Sequence, residues 1–162
     1  MLMNKLTQKL IVMMQQDQLD MNDLSVRKKN ARQLQAIITK HGWPTIELVG
    51  EEASNASWLI AQHADHNLEF QKQCLDLMKR LPKKSVLSKN IAYLTDRILV
   101  SQNKPQKYGT QFYIVNNELK PRPIKDRQNI DKRWQKMNVG GNTWRTFEEY
   151  QKNMEEIHKT RK

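Results

Sequence analysis

The sequence predicts a mostly α-helical single domain (α+β class), a bundle of about six to seven helices with one small β-hairpin near residues 110–124. Two observations predict this fold. Apolar residues recur at helical spacing through most of the first 101 residues, and the spacing changes to that of strands from Thr110 onward. The 162 residues, 38% hydrophobic and 28% charged, also have the length and composition of a soluble domain with a core.

Four helices are expected in the first half of the chain. The first has apolar residues at Leu6, Leu10 and Met13, and the polar segment from Asp17 to Asp23 either breaks or continues it. Gly42 and Pro44 end the second helix, and the segment 46–49 is predicted to be a short extended link. The predicted bounds of the four helices are 3–16, 24–40, 51–66 and, capped by Asn67, 68–81.

A fifth helix, predicted over 89–101, is apolar on two opposite faces, which is typical of a central helix. Its polar residues Asp96 and Arg97 are therefore expected to pair, to form hydrogen bonds or to line a cavity. The turn signal Asn116-Asn117 and the prolines at 121 and 123 then predict a hairpin with an edge strand.

Two shorter helices are expected after the hairpin. The first covers 129–137 and contains Trp134. The second, over 147–159, is highly charged and opens with a capping-box pattern at Thr146 to Glu149.

The composition excludes several classes of protein. A single cysteine, Cys74, excludes an intrachain disulfide, and it falls on an apolar helix face, which indicates a core residue. No phosphate-binding loop, dinucleotide fingerprint or serine-hydrolase elbow is present. The longest early apolar run, Leu10 to Met14, is too short for a signal peptide or a membrane span, which predicts a cytoplasmic protein with no membrane partner. Specialised secretion would leave no such signal and is the alternative location.

The net charge of +11 points to anionic partners. Residues 102–162 contain fourteen Lys/Arg and seven Asp/Glu, so the excess is larger toward the C-terminus. An anionic substrate or a nucleic acid is the expected partner, and the basic region 104–136 with Trp134 is the predicted nucleic-acid surface.

The segment Gln62 to His66 is the first candidate for chemistry. His63, Asp65 and His66 form the candidate metal set, because His63 and His66 are three residues apart and on a helix such a pair would face one divalent metal ion. His41 or Asp96 would have to supply a further ligand. The metal-free alternative makes His63 a general acid/base that Asp96 orients, with Arg97 binding an anionic group of the substrate. A structural Asp–Arg–Gln network that fixes helix packing is the competing interpretation.

Two further segments are candidates for substrate binding. Trp43 follows a rigid turn and is either a core residue or a wall on which a substrate stacks. Tyr108, Thr110 and Gln111 flank Gly109 at the start of the hairpin and offer hydroxyl and amide groups.

Five short motifs occur in a specific order, and their residues are Gly42-Trp43-Pro44, Val49-Gly50, Gln62-His63-Ala64-Asp65, Leu94-Thr95-Asp96-Arg97 and Tyr108-Gly109-Thr110-Gln111. They resemble the pattern of an uncharacterised bacterial domain family, and Asp17-Gln18 and the segment 121–124 also resemble it. The resemblance implies that the polar residues of the last three motifs belong to the recurrent polar set of the family. The resemblance implies no activity, because none is established for the family. It implies a family-like core over residues 1–137, with a loop and a charged helix over 138–162 outside it.

The function that we expect is that of a small soluble bacterial enzyme of unknown substrate, a hydrolase or group-transfer enzyme. Its catalytic residues would be His63, Asp96 and Arg97, and its substrate-binding residues Trp43, Gln62, Tyr108, Thr110 and Gln111. A toxin or effector module is one setting for such an enzyme. The alternatives are a basic nucleic-acid-binding module and a non-catalytic protein-interaction domain of toxin or immunity type.

Overall fold

The computed structural model describes residues 2–19 and 23–160. It confirms a mostly α-helical fold with a small two-stranded antiparallel sheet. Within the described residues no helix is long and apolar enough to cross a membrane. The helices are α1 Leu2–Leu19, α2 Leu24–His41, α3 Ile46–Val49, α4 Glu51–Gln62, α5 Leu68–Arg80, α6 Ser88–Ser101, α7 Ile130–Met137 and α8 Phe147–Thr160, and the strands are β1 Phe112–Val115 and β2 Glu118–Pro121.

The chain divides into two compact units, residues 1–90 and 91–162, and the boundary falls in the first turn of α6. In the first unit α4 packs against α1, α2, α3 and α5. Small residues on α4 allow these close contacts, since Ala53 and Ala56 are fully buried beside Ile60.

Side-chain caps set several helix boundaries in the first unit. Asp23 accepts a hydrogen bond from the Ser25 amide (2.7 Å) and begins α2. Residues 20–22, part of the segment expected to break or continue the first helix, lie outside the described residues. Asn67 accepts from the Phe70 amide (3.1 Å) and begins α5, as the sequence predicted.

The expectation of an extended link at 46–49 was wrong. Residues Ile46–Val49 form one helical turn, because the Thr45 hydroxyl accepts from the Leu48 amide (3.3 Å) at the N-terminus. The β-branched residues that favoured an extended segment do not prevent a single capped turn.

Cys74 lies on the buried face of α5 and is a core residue, as expected. Burial raises the pKa of its thiol to about 12. The thiol is therefore protonated at neutral pH and is a poor nucleophile.

In the second unit the hairpin has the predicted turn. Phe112 pairs with Pro121 and Val115 with Glu118, so Asn116 and Asn117 form a two-residue loop. Both asparagines have positive φ, as a type I′ turn requires. The hairpin therefore follows the local turn chemistry of the sequence.

The core of the second unit is aromatic. The rings of Trp134 and Phe147 meet edge to face with centroids 5.8 Å apart, and Tyr150 lies 5.1 Å from Trp134. Thr146 and Glu149 form the predicted capping box, because each accepts from the backbone amide of the other. Phe147 and Tyr150 belong to α8, so this helix is an integral part of the core of the second unit.

Candidate functional site

The segment around His63 is a turn between two helices. Helix α4 ends at Gln62, and His63 lies at its C-terminal cap with φ −88° and ψ 1°. The amide of Asn67 donates to the carbonyl of Ala64 (2.8 Å), which closes the turn before α5 begins. The helix predicted over 51–66 is therefore shorter than expected, and His63 and His66 do not stand on one helical face.

This turn removes the basis of the predicted metal site, because the spacing of His63 and His66 brings two imidazoles together only on a helix. The carboxylate of Asp65 instead accepts a hydrogen bond from the Gln71 amide (3.3 Å). Among residues 2–19 and 23–160, no three His, Cys, Asp or Glu side chains are grouped so that they could hold a metal ion.

A pair between His63 and Asp17 is the main polar feature of the first unit. The Nδ1 atom of His63 is within hydrogen-bond distance of Oδ2 of Asp17 on α1, 46 residues away in sequence. An ionised carboxylate only accepts, so Nδ1 donates and the lone pair of the ring is on Nε2. The side chain of His63 is 21% exposed, whereas that of Asp17 is 1% exposed. The carboxylate that orients His63 is thus Asp17, a role that the sequence analysis assigned to Asp96.

Asp17 is buried with only one of its carboxylate oxygens bonded. In the part of the chain that the structure describes, Oδ1 of Asp17 has no hydrogen-bond partner. One turn earlier on α1, the carbonyl of Met13 accepts a hydrogen bond from the side-chain amide of Asn30 (2.9 Å). The sequence contained a signal for Asp17, because it continues the buried stripe formed by Leu10 and Met13 at a position where an apolar residue is expected.

The side chain of Gln71 fixes the backbone on which His63 stands. The side-chain amide of Gln71 donates to the backbone carbonyls of Ala61 (3.3 Å) and Gln62 (3.1 Å) at the C-terminal end of α4, where carbonyls lack helical partners. Gln71 is fully buried, and Gln62, a predicted substrate-binding residue, is only 5% exposed. Gln71 was not among the predicted residues, since a glutamine on an amphipathic helix gives no distinguishing pattern.

Asp96 has a different environment, in the second unit. It is fully buried, and its carboxylate accepts from the backbone amides of Lys107 (2.7 Å), Tyr108 (3.0 Å) and Thr110 (3.0 Å). The Thr110 hydroxyl donates a further hydrogen bond of 3.0 Å. Burial raises the pKa of Asp96 above its ordinary value, and these hydrogen bonds oppose the rise. Asp96 thus holds residues 107–110 in place, and its expected departure from free solvation is confirmed.

The segment from Gln106 to Gln111, here called the Asp96 turn, is also held by side-chain amides. The side chain of Gln106 accepts from the backbone amide of Gln111 (2.8 Å). It also donates to the backbone carbonyls of Gln111 (2.9 Å) and Arg122 (2.8 Å). The guanidinium of Arg97 donates to Oε1 of Gln111 (3.3 Å), so a predicted catalytic residue and a predicted substrate-binding residue meet. Gln106 was missed in the sequence, because its bonding partners at 111 and 122 become neighbours only when the hairpin forms.

The predicted aromatic residues are buried. Tyr108 lies in the core of the second unit, and Trp134 donates to its carbonyl (2.5 Å) while being only 2% exposed. Trp134 therefore offers no ring face to a nucleic acid, contrary to the expectation for region 104–136. Trp43 is 4% exposed, which agrees with the core residue and leaves no exposed ring for the predicted stacking. A joint catalytic role of His63 with Asp96 and Arg97 stays a prediction.

Comparison with known proteins identifies a family without an assigned function. No curated protein and no solved structure matches this chain. One family model matches residues 6–161 and is described as a family of unknown function, DUF6624. The match includes α8, which the sequence analysis had placed outside the family-like core of 1–137. The protein therefore belongs to the family of unknown function DUF6624, as the motif order had indicated.

Proposed function

We propose that the protein is a small enzyme, a hydrolase or group-transfer enzyme, in which His63 is the general acid/base and Asp17 orients its ring. The contact between Nδ1 of His63 and the buried carboxylate of Asp17 is the observation that supports this proposal. Because Asp17 fixes Nδ1 as a donor, Nε2 is available to take a proton from a water or a substrate hydroxyl and to return it to a leaving group.

The environment of Asp17 is a second reason for the proposal. A buried carboxylate with one partner costs several kcal/mol of desolvation, whereas an apolar side chain at the same position of α1 would pack at no such cost. A buried carboxylate that contacts one ring nitrogen of a partly exposed histidine is the arrangement that orients a general acid/base. The competing interpretation is structural, with the pair fixing α1 against the end of α4.

Within the second unit, Arg97 and Gln111 are proposed, taken by themselves, as a pair that binds an anionic group. Their hydrogen bond holds the guanidinium in one orientation, and a fixed guanidinium favours an anionic group such as a phosphate or carboxylate. Asp96 is proposed as a positioning residue, since its carboxylate oxygens already accept from three amides and one hydroxyl.

The test uses three chromogenic substrates: p-nitrophenyl acetate, p-nitrophenyl phosphate and bis(p-nitrophenyl) phosphate. We expect turnover of at least one, and a loss of about 10²–10⁴-fold in kcat/KM in His63→Ala, the range that general acid–base catalysis contributes. Asp17→Asn keeps the side-chain volume and the acceptor oxygen but removes the charge, so a smaller loss is expected.

His66→Ala is the matched control, because His66 lies in the same turn and is exposed. It should leave turnover at the wild-type value, and all variants should be compared in urea unfolding. Equal turnover in wild type and His63→Ala would overturn the proposal. Loss of activity in direct proportion to loss of stability would favour the structural interpretation.

A further inference from the structure

The charged residues of helices α1 and α2 are almost all positive. Together they contain seven Lys/Arg, and their single acidic residue, Asp17, is buried against His63. No carboxylate on these two helices therefore neutralises the basic side chains at the surface. Residues 102–162 also have an excess of positive charge, but seven acidic residues partly neutralise it there. The ratio of basic to acidic residues is therefore higher on α1 and α2.

The basic residues of α2 share one face. Its buried side is formed by Asn30, Ala31, Leu34 and Ile37. At 100° per residue, the exposed residues Lys28, Lys29, Arg32 and Lys40 fall on the opposite side, within an arc of about 120°. From Lys28 to Lys40 this face is about 18 Å long.

An open groove between α1 and α2 continues this face. A cavity of about 810 Å³ is lined by Lys5, Lys9 and Lys29 with amide side chains that include Gln8, Gln16 and Gln33. A second cavity of about 340 Å³ shares Lys5, Lys9 and Gln33 and extends to Lys40 and His41. Apolar side chains also line both cavities, Val12 and Met13 the first and Leu6, Ala36, Ile37 and Leu48 the second. Among the residues that the structure describes, no Asp, Glu, Phe, Tyr or Trp lines either cavity.

The same face reaches the turn that contains His63. His66 is exposed, yet partial desolvation lowers its pKa, and the positive charges of Lys28 and Arg32 lower it further, while Asp65 opposes them. The two basic side chains of α2 are therefore close enough to His66 to act on its charge. A polyanion on this face would lie next to the turn of the candidate active site.

We propose that the surface formed by Lys5, Lys9, Lys28, Lys29, Arg32 and Lys40, here called the α1–α2 basic face, binds the phosphate backbone of duplex nucleic acid, DNA or RNA. Its length of about 18 Å corresponds to about five phosphates of one strand. The amide side chains of the groove add hydrogen bonds to phosphate and sugar oxygens. Single strands are bound largely by stacking on aromatic side chains, which this groove lacks, so a duplex is the favoured occupant. The proposal does not depend on the enzymatic role of His63.

Fluorescence anisotropy with labelled 20-base-pair DNA and RNA duplexes tests the proposal on the full chain. We expect binding at 50 mM salt that weakens steeply as salt rises, and the plot of log affinity against log salt should have a slope of about −4.5 for five phosphate contacts. In the triple variant Lys29→Gln, Arg32→Gln and Lys40→Gln, affinity should fall about tenfold or more, and the slope should become shallower by about three. The pair Lys5→Gln and Lys9→Gln should weaken binding in the same direction.

The matched control removes one arginine and two lysines from exposed positions of the second unit that lie outside residues 104–136: Arg145→Gln, Lys152→Gln and Lys159→Gln. It changes net charge equally and should keep near wild-type affinity. Equal losses in the two triple variants would overturn the proposal, and so would absence of duplex binding by the wild type at 50 mM salt. Tighter binding of a single strand or of poly-L-glutamate than of either duplex would also overturn it. Preference between the DNA and RNA duplexes identifies which duplex the face takes.

Discussion

Replacing Asp96 by Ala removes the acceptor on which the Asp96 turn is built. Three backbone amides and one hydroxyl donate to this carboxylate in the second unit. Lys107 is exposed, so its amide can bond to water in the variant, whereas Tyr108 and Thr110 are buried. Two buried amide donors are therefore left without a partner.

The structure gives the expected size of the effect. An unsatisfied buried donor costs about 1–3 kcal/mol, so two cost about 2–6 kcal/mol. Relief of the desolvation of the carboxylate offsets part of this, and a net loss of about 3 kcal/mol is expected. At an m value of about 2 kcal/mol/M, the urea midpoint should fall by about 1.5 M.

Urea unfolding followed by circular dichroism at pH 7 measures this loss. Asp96→Asn keeps one acceptor oxygen and should lose less than Asp96→Ala. Thr110→Val removes only the hydroxyl and should cost about 1 kcal/mol. If Asp96→Ala lowered the free energy of unfolding by less than about 1 kcal/mol, the carboxylate would not be what holds this turn.

Two further predictions concern the same unit. Because burial raises the pKa of Asp96, the folded protein keeps this proton to a higher pH than the unfolded chain. The free energy of unfolding of the wild type, relative to that of Asp96→Asn, should therefore fall as pH rises from about 4 through the raised pKa of Asp96. Urea unfolding at several pH values measures this difference, and an increase with pH would contradict the prediction. Gly109→Ala should destabilise by about 2–5 kcal/mol in the same assay, since φ is +71° and a Cβ would lie 2.4 Å from Phe147 and 2.9 Å from Ile130. Gly141→Ala has φ +57° and no atom within 4 Å of the added Cβ, so it should cost only the backbone strain, and equal losses would contradict the steric argument.

Most of the fold was predictable because its signals are local. The Asn67 cap, the Asn116-Asn117 turn and the capping box of Thr146 and Glu149 each act within a few residues of the element that they begin or end. The one-turn helix at 46–49 was missed, because its β-branched residues favour extended backbone and a single cap overrode that preference.

The candidate site was predictable only in part. The burial of Asp96 was predictable, because Asp96 lies on a helix that is apolar on two faces. Its hydrogen-bond partners at 107–110 were not, because no local pattern links them to Asp96. The end of α4 at Gln62 invalidated the helical phasing of His63 and His66, since that phasing assumed four more helical residues. The family model covers residues 6–161 but assigns no function to any of them. The roles proposed for the site residues therefore depend on their contacts alone.

The sequence by itself determined which segments are helical, where the hairpin turns and which polar residues stand on apolar faces, because backbone preferences and caps act over one or two turns. Only the tertiary structure decided what those polar residues bond to. Asp17 meets His63 across 46 residues, and Gln106 joins the backbone at 111 and 122. A carboxylate on an apolar stripe must find a donor to be buried, but which donor it finds depends on how α1 and α4 pack.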